Sequence, residues 1–149
     1  MKPVWSRLWR SVRFVLNLPA TLVGCLIGVA THGSCHWDRE HLVVLCTGSS
    51  APKLGSTAFA VGSTVITSLS AGEFRARNGG RLMAHETRHS DQWALLGPLP
   101  FLAAYGEEFV RSRLVSRRRG GDPGSYNLFE RWAVLEDGSY PPRPARPGR

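Results

Sequence analysis

Residues 81–97 read RLMAHETRHSDQWALLG, and the fold is decided by how that stretch repeats. Leu82, His85, His89, Gln92 and Leu96 recur at three- and four-residue spacing, which is one face of a helix. Gly97 and Pro98 stop it, so the spacing predicts a helix over 80–96. Side chains four apart on a helix stand one above the other, so the imidazoles of His85 and His89 can converge on a single ion. Glu86 is turned by about a hundred degrees from His85, which lets it address a water at that ion without binding the ion itself. Two neutral nitrogens to hold Zn²⁺, a position left for water and a carboxylate to take a proton are what zinc-dependent hydrolysis needs. The competing reading is a helix face with two histidines, His89 being placed near the C-terminal end, where positive charge suits the helix dipole.

A catalytic zinc usually takes three protein ligands. No histidine follows His89, so the third must be a carboxylate, with Glu107, Glu108, Glu130 and Glu136 as candidates. Glu130 is preferred, because it falls in the first turn of a short helix expected from Asn127 to about Glu136, and Ala133 one turn on leaves room for close packing. Asp137, seven residues later on the same face, is expected to hydrogen-bond a ligand histidine from behind. NLFE, residues 127–130, is also a capping-box sequence, which would employ Glu130 as a helix cap. Glu108 is the second choice for the ligand. His41, Tyr105 and Tyr126 are unranked candidates for a donor to an oxyanion.

LMAHETRHSDQW, then LGPLPFLAAY and NLFERWA, resembles the small gluzincin-type zinc peptidase domains of bacteria, in which an HExxH helix is followed by Gln and by a later Glu on a second helix. The resemblance covers roughly residues 57–136. It implies that His85, His89 and Glu130 ligate zinc and that Glu86 is the general base. It also implies that the strand over 57–68 lies beside a cleft and can pair with an extended peptide. A long connection between His89 and Glu130 departs from the pattern, and no substrate subsite is legible.

Outward from the motif, HLVVLCT (41–47) and TAFAVGSTVITS (57–68) are β-rich and separated by a turn cluster, while THGSCHWDRE (31–40) is polar and turn-like. The expected fold is α+β: a small antiparallel sheet packed on the HExxH helix and one or two further helices, preceded by an N-terminal apolar helix. The expected organisation is a basic N-terminus and apolar segment over 1–31, a zincin-like domain over 32–138 and a disordered Pro/Arg tail over 139–149.

The chain has 149 residues and a net charge of +8, almost all from arginine, since Lys2 and Lys53 are the only lysines. That length suits one domain, and that charge favours acidic partners. Arg111, Arg113, Arg117, Arg118 and Arg119 form a basic run, but no interleaved aromatics or reading motif accompany it, so no nucleic-acid partner is expected. Lys2, Arg7, Arg10 and Arg13 with Trp5 and Trp9 precede a run from Phe14 to Ala30 that carries no charge. That order describes a membrane-directed segment at the lower limit of a span, weakened by Asn17 and Pro19. Residues 14–30 are therefore expected to associate with a membrane, with the N-terminus cytoplasmic if they span; a soluble helix and a cytoplasmic domain are the alternative. Three cysteines without a CxxC spacing indicate no zinc ribbon, although Cys35 and Cys46 could bridge in an oxidising compartment. The functional expectation is a zinc metallopeptidase acting on an unidentified peptide or protein, with a non-catalytic zinc-binding, membrane-associated protein of the same fold as the first alternative and a basic nucleic-acid-binding module as the second.

Overall fold

The computed structural model describes residues 3–52, 57–135, 137, 138, 140 and 141, with backbone alone for 3–6. Two helices, α1 (Pro3–Leu16) and α2 (Leu18–Ala30), lead into strands β1 (Ser34–Asp38), β2 (Val43–Thr47), β3 (Ala58–Val61) and β4 (Thr64–Thr67). Helices α3 (Ala71–Ala76), α4 (Arg81–Leu96), α5 (Pro98–Arg119) and α6 (Leu128–Trp132) follow. The α+β class is as expected, and α4 has the bounds its periodicity dictates.

The sheet is mixed, not antiparallel as expected. Its order is β1-β2-β4-β3, with antiparallel hairpins at both edges and a parallel β2/β4 pair in the middle, Val44 opposite Thr64 and Cys46 opposite Ile66. The run 57–68 is two strands, turned at Gly62, whose φ of +60° favours glycine. All four residues of β4 are buried, so β4 takes the centre beside β2 and leaves β3 on the edge. The polar stretch 31–40 contains β1, paired with β2 from Ser34 opposite Thr47 to Asp38 opposite Val43. Val43, Leu45, Val65, Phe74, Leu82 and Met83 form the core between the sheet and helices α3 and α4. A second cluster joins Ala20, Trp93, Phe101 and Phe129.

A second correction concerns the N-terminus, where two helices stand in place of one apolar helix. The described helices α1 and α2 meet at a bend of 76°, and neither is long and apolar enough to cross a membrane alone. Pro19 lies in the first turn of α2; it has no N–H to give and its ring crowds the carbonyl four residues back, so the helix cannot run through. Asn17 at the break is fully buried and donates through Nδ2 to the Ser90 carbonyl at 2.8 Å and to Ser63 Oγ at 3.1 Å.

Helix α2 lies on the sheet through its glycines. A Cβ at Gly28 would stand 2.6 Å from Cys46 Sγ and 2.9 Å from Cys35 Sγ, and one at Gly24 would stand 2.7 Å from Thr64 Cβ. Cys35 and Cys46, opposite each other on β1 and β2, are joined in a disulfide directly beneath Gly28. Side chains on α2 would push the helix off the sheet. Gly28→Val is therefore expected to lower stability by about 1–3 kcal/mol, measured by urea unfolding, despite the general helix-stabilising effect of replacing glycine.

Candidate metal centre

Helix α4 sends different residues to different neighbours. Leu82 and Met83 enter the core, Thr87, Ser90 and Asp91 meet α1 and the α1–α2 elbow, and His85, Arg88, His89 and Gln92 face α6. His85 and His89 are 2% and 7% exposed, so both lie inside the protein and not on a solvated helix face. Glu130, brought in from the first turn of α6, is 4% exposed. His85 Nε2, His89 Nε2 and Glu130 Oε2 form a triangle with sides of 3.1, 3.2 and 3.3 Å.

The hydrogen bonds behind the rings decide what that triangle is. His85 Nδ1 lies 3.0 Å from the Val134 carbonyl, which only accepts, so Nδ1 carries the hydrogen and donates. His89 Nδ1 lies 2.8 Å from Gln92 Oε1. The Gln92 amide cannot be turned around, because its Nε2 donates to the Phe129 carbonyl at 2.9 Å. His89 Nδ1 therefore also donates, and each neutral ring presents a lone pair on Nε2. Two nitrogen lone pairs and a carboxylate oxygen thus face one another inside the protein. Three acceptors at such distances repel unless a cation or protons stand between them. Four ligands around zinc at about 2.0 Å are separated by about 3.3 Å, so the triangle has the size of one face of that tetrahedron. The buried cluster could hold a metal ion.

Without a metal the same groups can be joined by protons, His85 Nε2 and His89 Nε2 lying 3.1 and 3.3 Å from Glu130 Oε2. Burial lowers the His89 pKa, but hydrogen bonding and charge from Glu130 outweigh it and raise the value to about 9. Burial likewise pushes Glu130 up, yet its bonds from His85, His89 and Tyr105 hold it well below the usual carboxylate range. Metal and protons therefore compete for these atoms.

Tyr105 on α5 donates to Glu130 Oε1 at 2.7 Å, which occupies that oxygen and leaves Oε2 for the triangle. Burial and the Glu130 charge push the hydroxyls of Tyr105 and Tyr140 up, so both remain protonated donors. Glu86 is 3% exposed, and its Oε2 has no hydrogen-bond partner. Burial raises its pKa against the opposing pull of His89 and His85. A divalent cation would balance the two buried carboxylates, and a water on that ion would give the orphaned oxygen a partner. The donor set fits the group.

Other expectations sort differently. Asn127 caps α6, accepting from Phe129 N at 2.9 Å and Glu130 N at 3.4 Å, while the Glu130 carboxylate does not return to the cap. Glu108, the second choice for the ligand, pairs with Arg111 and accepts from Leu128 N at 3.1 Å, so it serves the end of α6 instead. Asp137 does not reach a histidine. Its carboxylate lies 2.6 Å from Arg88 and 3.7 Å from Arg81, and the carbonyl of Val134 takes the supporting role expected of it. His41 Nδ1 lies on Asp38 at 3.2 Å and the Tyr126 hydroxyl donates to the Gly120 carbonyl, so of the three suggested donors only Tyr105 is at the cluster. Gln92 is the residue whose role the sequence did not disclose, although its position three residues after His89 was the available signal. Glu136 lies outside the described residues.

Comparison of the chain with known protein families, with curated proteins and with solved structures gives no match. The site therefore stands on its own geometry.

Two outcomes follow from the competition and from the role of Gln92. Because His89 stays protonated up to about 9 in the metal-free site, zinc affinity should rise with pH from about 6.5 to 9, by up to about tenfold per unit for each proton displaced. Calorimetric titrations in buffers of different ionisation enthalpy would count those protons. Gln92→Leu removes the acceptor that fixes the His89 ring and should weaken zinc binding by about 10–100-fold, read by competition with a chelating dye.

Proposed function

We propose that the chain is a zinc-dependent hydrolase of peptide bonds. The observation that supports this most directly is the unpartnered Oε2 of buried Glu86, a residue that interacts electrostatically with His89, His85 and Glu130, the three that could hold a metal. A purely structural ion needs ligands but no spare carboxylate, whereas hydrolysis needs a base.

His85, His89 and Glu130 would hold the ion, which when bound supplies Lewis acidity and makes water acidic near neutral pH. Val134 and Gln92 fix the tautomers, so that both Nε2 atoms remain available. Glu86, with no other partner at Oε2, accepts the proton of the attacking water and delivers it to the leaving nitrogen. Tyr105, already a donor to Glu130, limits that carboxylate to one free oxygen. The edge position of β3 supports the idea of an extended substrate, since an edge strand carries unpaired backbone groups. The Ala60 carbonyl of β3 is already taken by Trp93 Nε1 of α4 at 3.2 Å, which ties this strand to the site helix.

A second reading, a metal site that serves structure alone, is favoured by closure. Glu86 and the three ligand residues are all buried, and a cleft of about 500 Å³ lies elsewhere, lined by Trp37, Asp38, Glu40, His41, Arg75 and Met83. Glu86→Gln separates the readings. The enzyme reading expects about one zinc per chain by elemental analysis, as in the wild type, and hydrolysis of a quenched-fluorescent peptide library reduced by about 10²–10⁴-fold. Equal turnover in both proteins, or none in zinc-loaded wild type, favours the structural site. His89→Ala and Glu130→Ala should each lose or weaken the metal.

A further inference from the structure

The two N-terminal helices are built inside out. In an ordinary surface helix the apolar stripe faces the core and the polar residues face water. Here the buried described positions of α1 and the elbow are Arg13 and Asn17, and α2 adds Ala20, Thr21, Gly24 and Gly28, none of them a large apolar side chain. Arg13 reaches inward to Asp91 at 3.2 Å, the Thr87 carbonyl at 3.3 Å and the His41 carbonyl at 2.5 Å. Thr21 accepts from Ser63 N at 2.9 Å through its hydroxyl, and its carbonyl accepts from Thr64 Oγ1 at 2.9 Å. The outward positions are Leu8, Val12, Val15 and Leu16 on α1, and Leu18, Leu22, Val23, Leu26 and Val29 on α2. Leu26 is 71% exposed, and Leu22 and Val29 are each 63% exposed. So many exposed large apolar side chains on two consecutive helices are rarely left to water in a monomeric protein.

Its charge pattern selects the occupant. Lys2, Arg7 and Arg10 precede the first acidic residue of the chain, Asp38, while Arg13 is turned inward and neutralises Asp91. Arg7 is exposed beside the apolar face, and Trp9 is half-buried with its indole donating to Asp91. Leu95, one helical turn after the Asp91 that holds α1, is exposed, as are Leu96, Leu99 and Leu102 at the α4–α5 corner.

The geometry also sets how a bilayer is met. Helix α2 has 13 residues, which at 1.5 Å per residue span about 20 Å, short of the roughly 30 Å of hydrocarbon in a bilayer. Its inner side is fixed to β4 by the Thr21 hydrogen bonds and to the disulfide by Gly28, so it cannot leave the sheet without exposing them. We propose that the outer face of α1 and α2 is a lipid-docking surface, on which the intact domain lies in the plane of an anionic bilayer without crossing it.

Flotation of the full chain with phosphatidylcholine vesicles, with and without about a third of phosphatidylglycerol, tests the docking. The wild type is expected to float with the anionic vesicles and less with the neutral ones. Leu22→Glu combined with Leu26→Glu should reduce the partition coefficient by about tenfold or more while leaving circular dichroism and zinc content unchanged. Wild type that stays with the soluble fraction overturns the proposal, as does equal partition of the double variant. A wild-type dimer in buffer that does not float and that the double variant dissociates also overturns it, with a second copy as the occupant. A second measurement needs no variant: the Ser63 amide, held by Thr21, should stay protected from hydrogen exchange on vesicles. Loss of that protection would mean that α2 has left the sheet to insert, and the in-plane arrangement would be wrong.

Discussion

Three acceptor atoms pointed at one another in a dry interior are the constraint on which the rest of the structure depends. His85 Nε2, His89 Nε2 and Glu130 Oε2 stand 3.1–3.3 Å apart, and nothing in a folded chain tolerates that without positive charge between them. Each supporting group acts to keep the arrangement. The Val134 carbonyl and Gln92 hold the rings in the tautomer that turns Nε2 inward, and the Phe129 carbonyl holds Gln92. Tyr105 takes the second oxygen of Glu130. Helix α6 is only five residues long, too short to be stable alone, so its position depends on these bonds and on its packing against Phe101 and Tyr105. Metal or proton, the charge at the centre joins α4 to α6 together with the bonds from Gln92 and Arg88 to the Phe129 and Ala133 carbonyls.

Much of this was legible where a single local rule applied. The bounds of α4 follow from its 3.6-residue period and from Gly97 and Pro98, and the meeting of His85 with His89 follows from their spacing. Placing Glu130 required more, because NLFE supports a cap as well as a ligand. The chain divides those tasks: Asn127 caps, Glu108 from α5 accepts the Leu128 amide, and Glu130 is freed to reach the histidines. Only a tertiary contact between residues 108 and 128 makes that division, and no local pattern contains it.

The misread elements share the same cause. β1 looks like a turn because its residues, SCHWD, are mostly polar, and it becomes a strand by pairing with β2 and by the Cys35–Cys46 bridge. The sheet is mixed because β4, with every side chain buried, needs neighbours on both sides, and β2 is available only in parallel. Asp137 was assigned to a histidine by its position on a helix face, yet α6 ends at Trp132 and the turn at Val134 redirects the chain, so Asp137 meets Arg88 instead. The charge-free run 14–30 reads as one segment on hydropathy alone, whereas Pro19 and the buried Asn17 make it two.

Helix α4 connects the ends of this account. Its Thr87, Ser90 and Asp91 side receives Arg13 and Asn17 from the inside-out helices, and its opposite side carries the two histidines of the candidate metal centre. Polar bonds on one side of a helix therefore set the depth and rotation of the groups on the other. Arg13 is nearly fully buried, and burial lowers its pKa while Asp91 opposes that shift, so the guanidinium is committed to α4 and not to solvent. Arg13 and Trp9 of α1 are bound to Asp91 of α4 by polar contacts, while Leu8, Val12, Val15 and Leu16 face outward. The same choice of bond that leaves this apolar surface uncovered holds the site helix in register, and the two features are one consequence of where the chain spends its polar side chains.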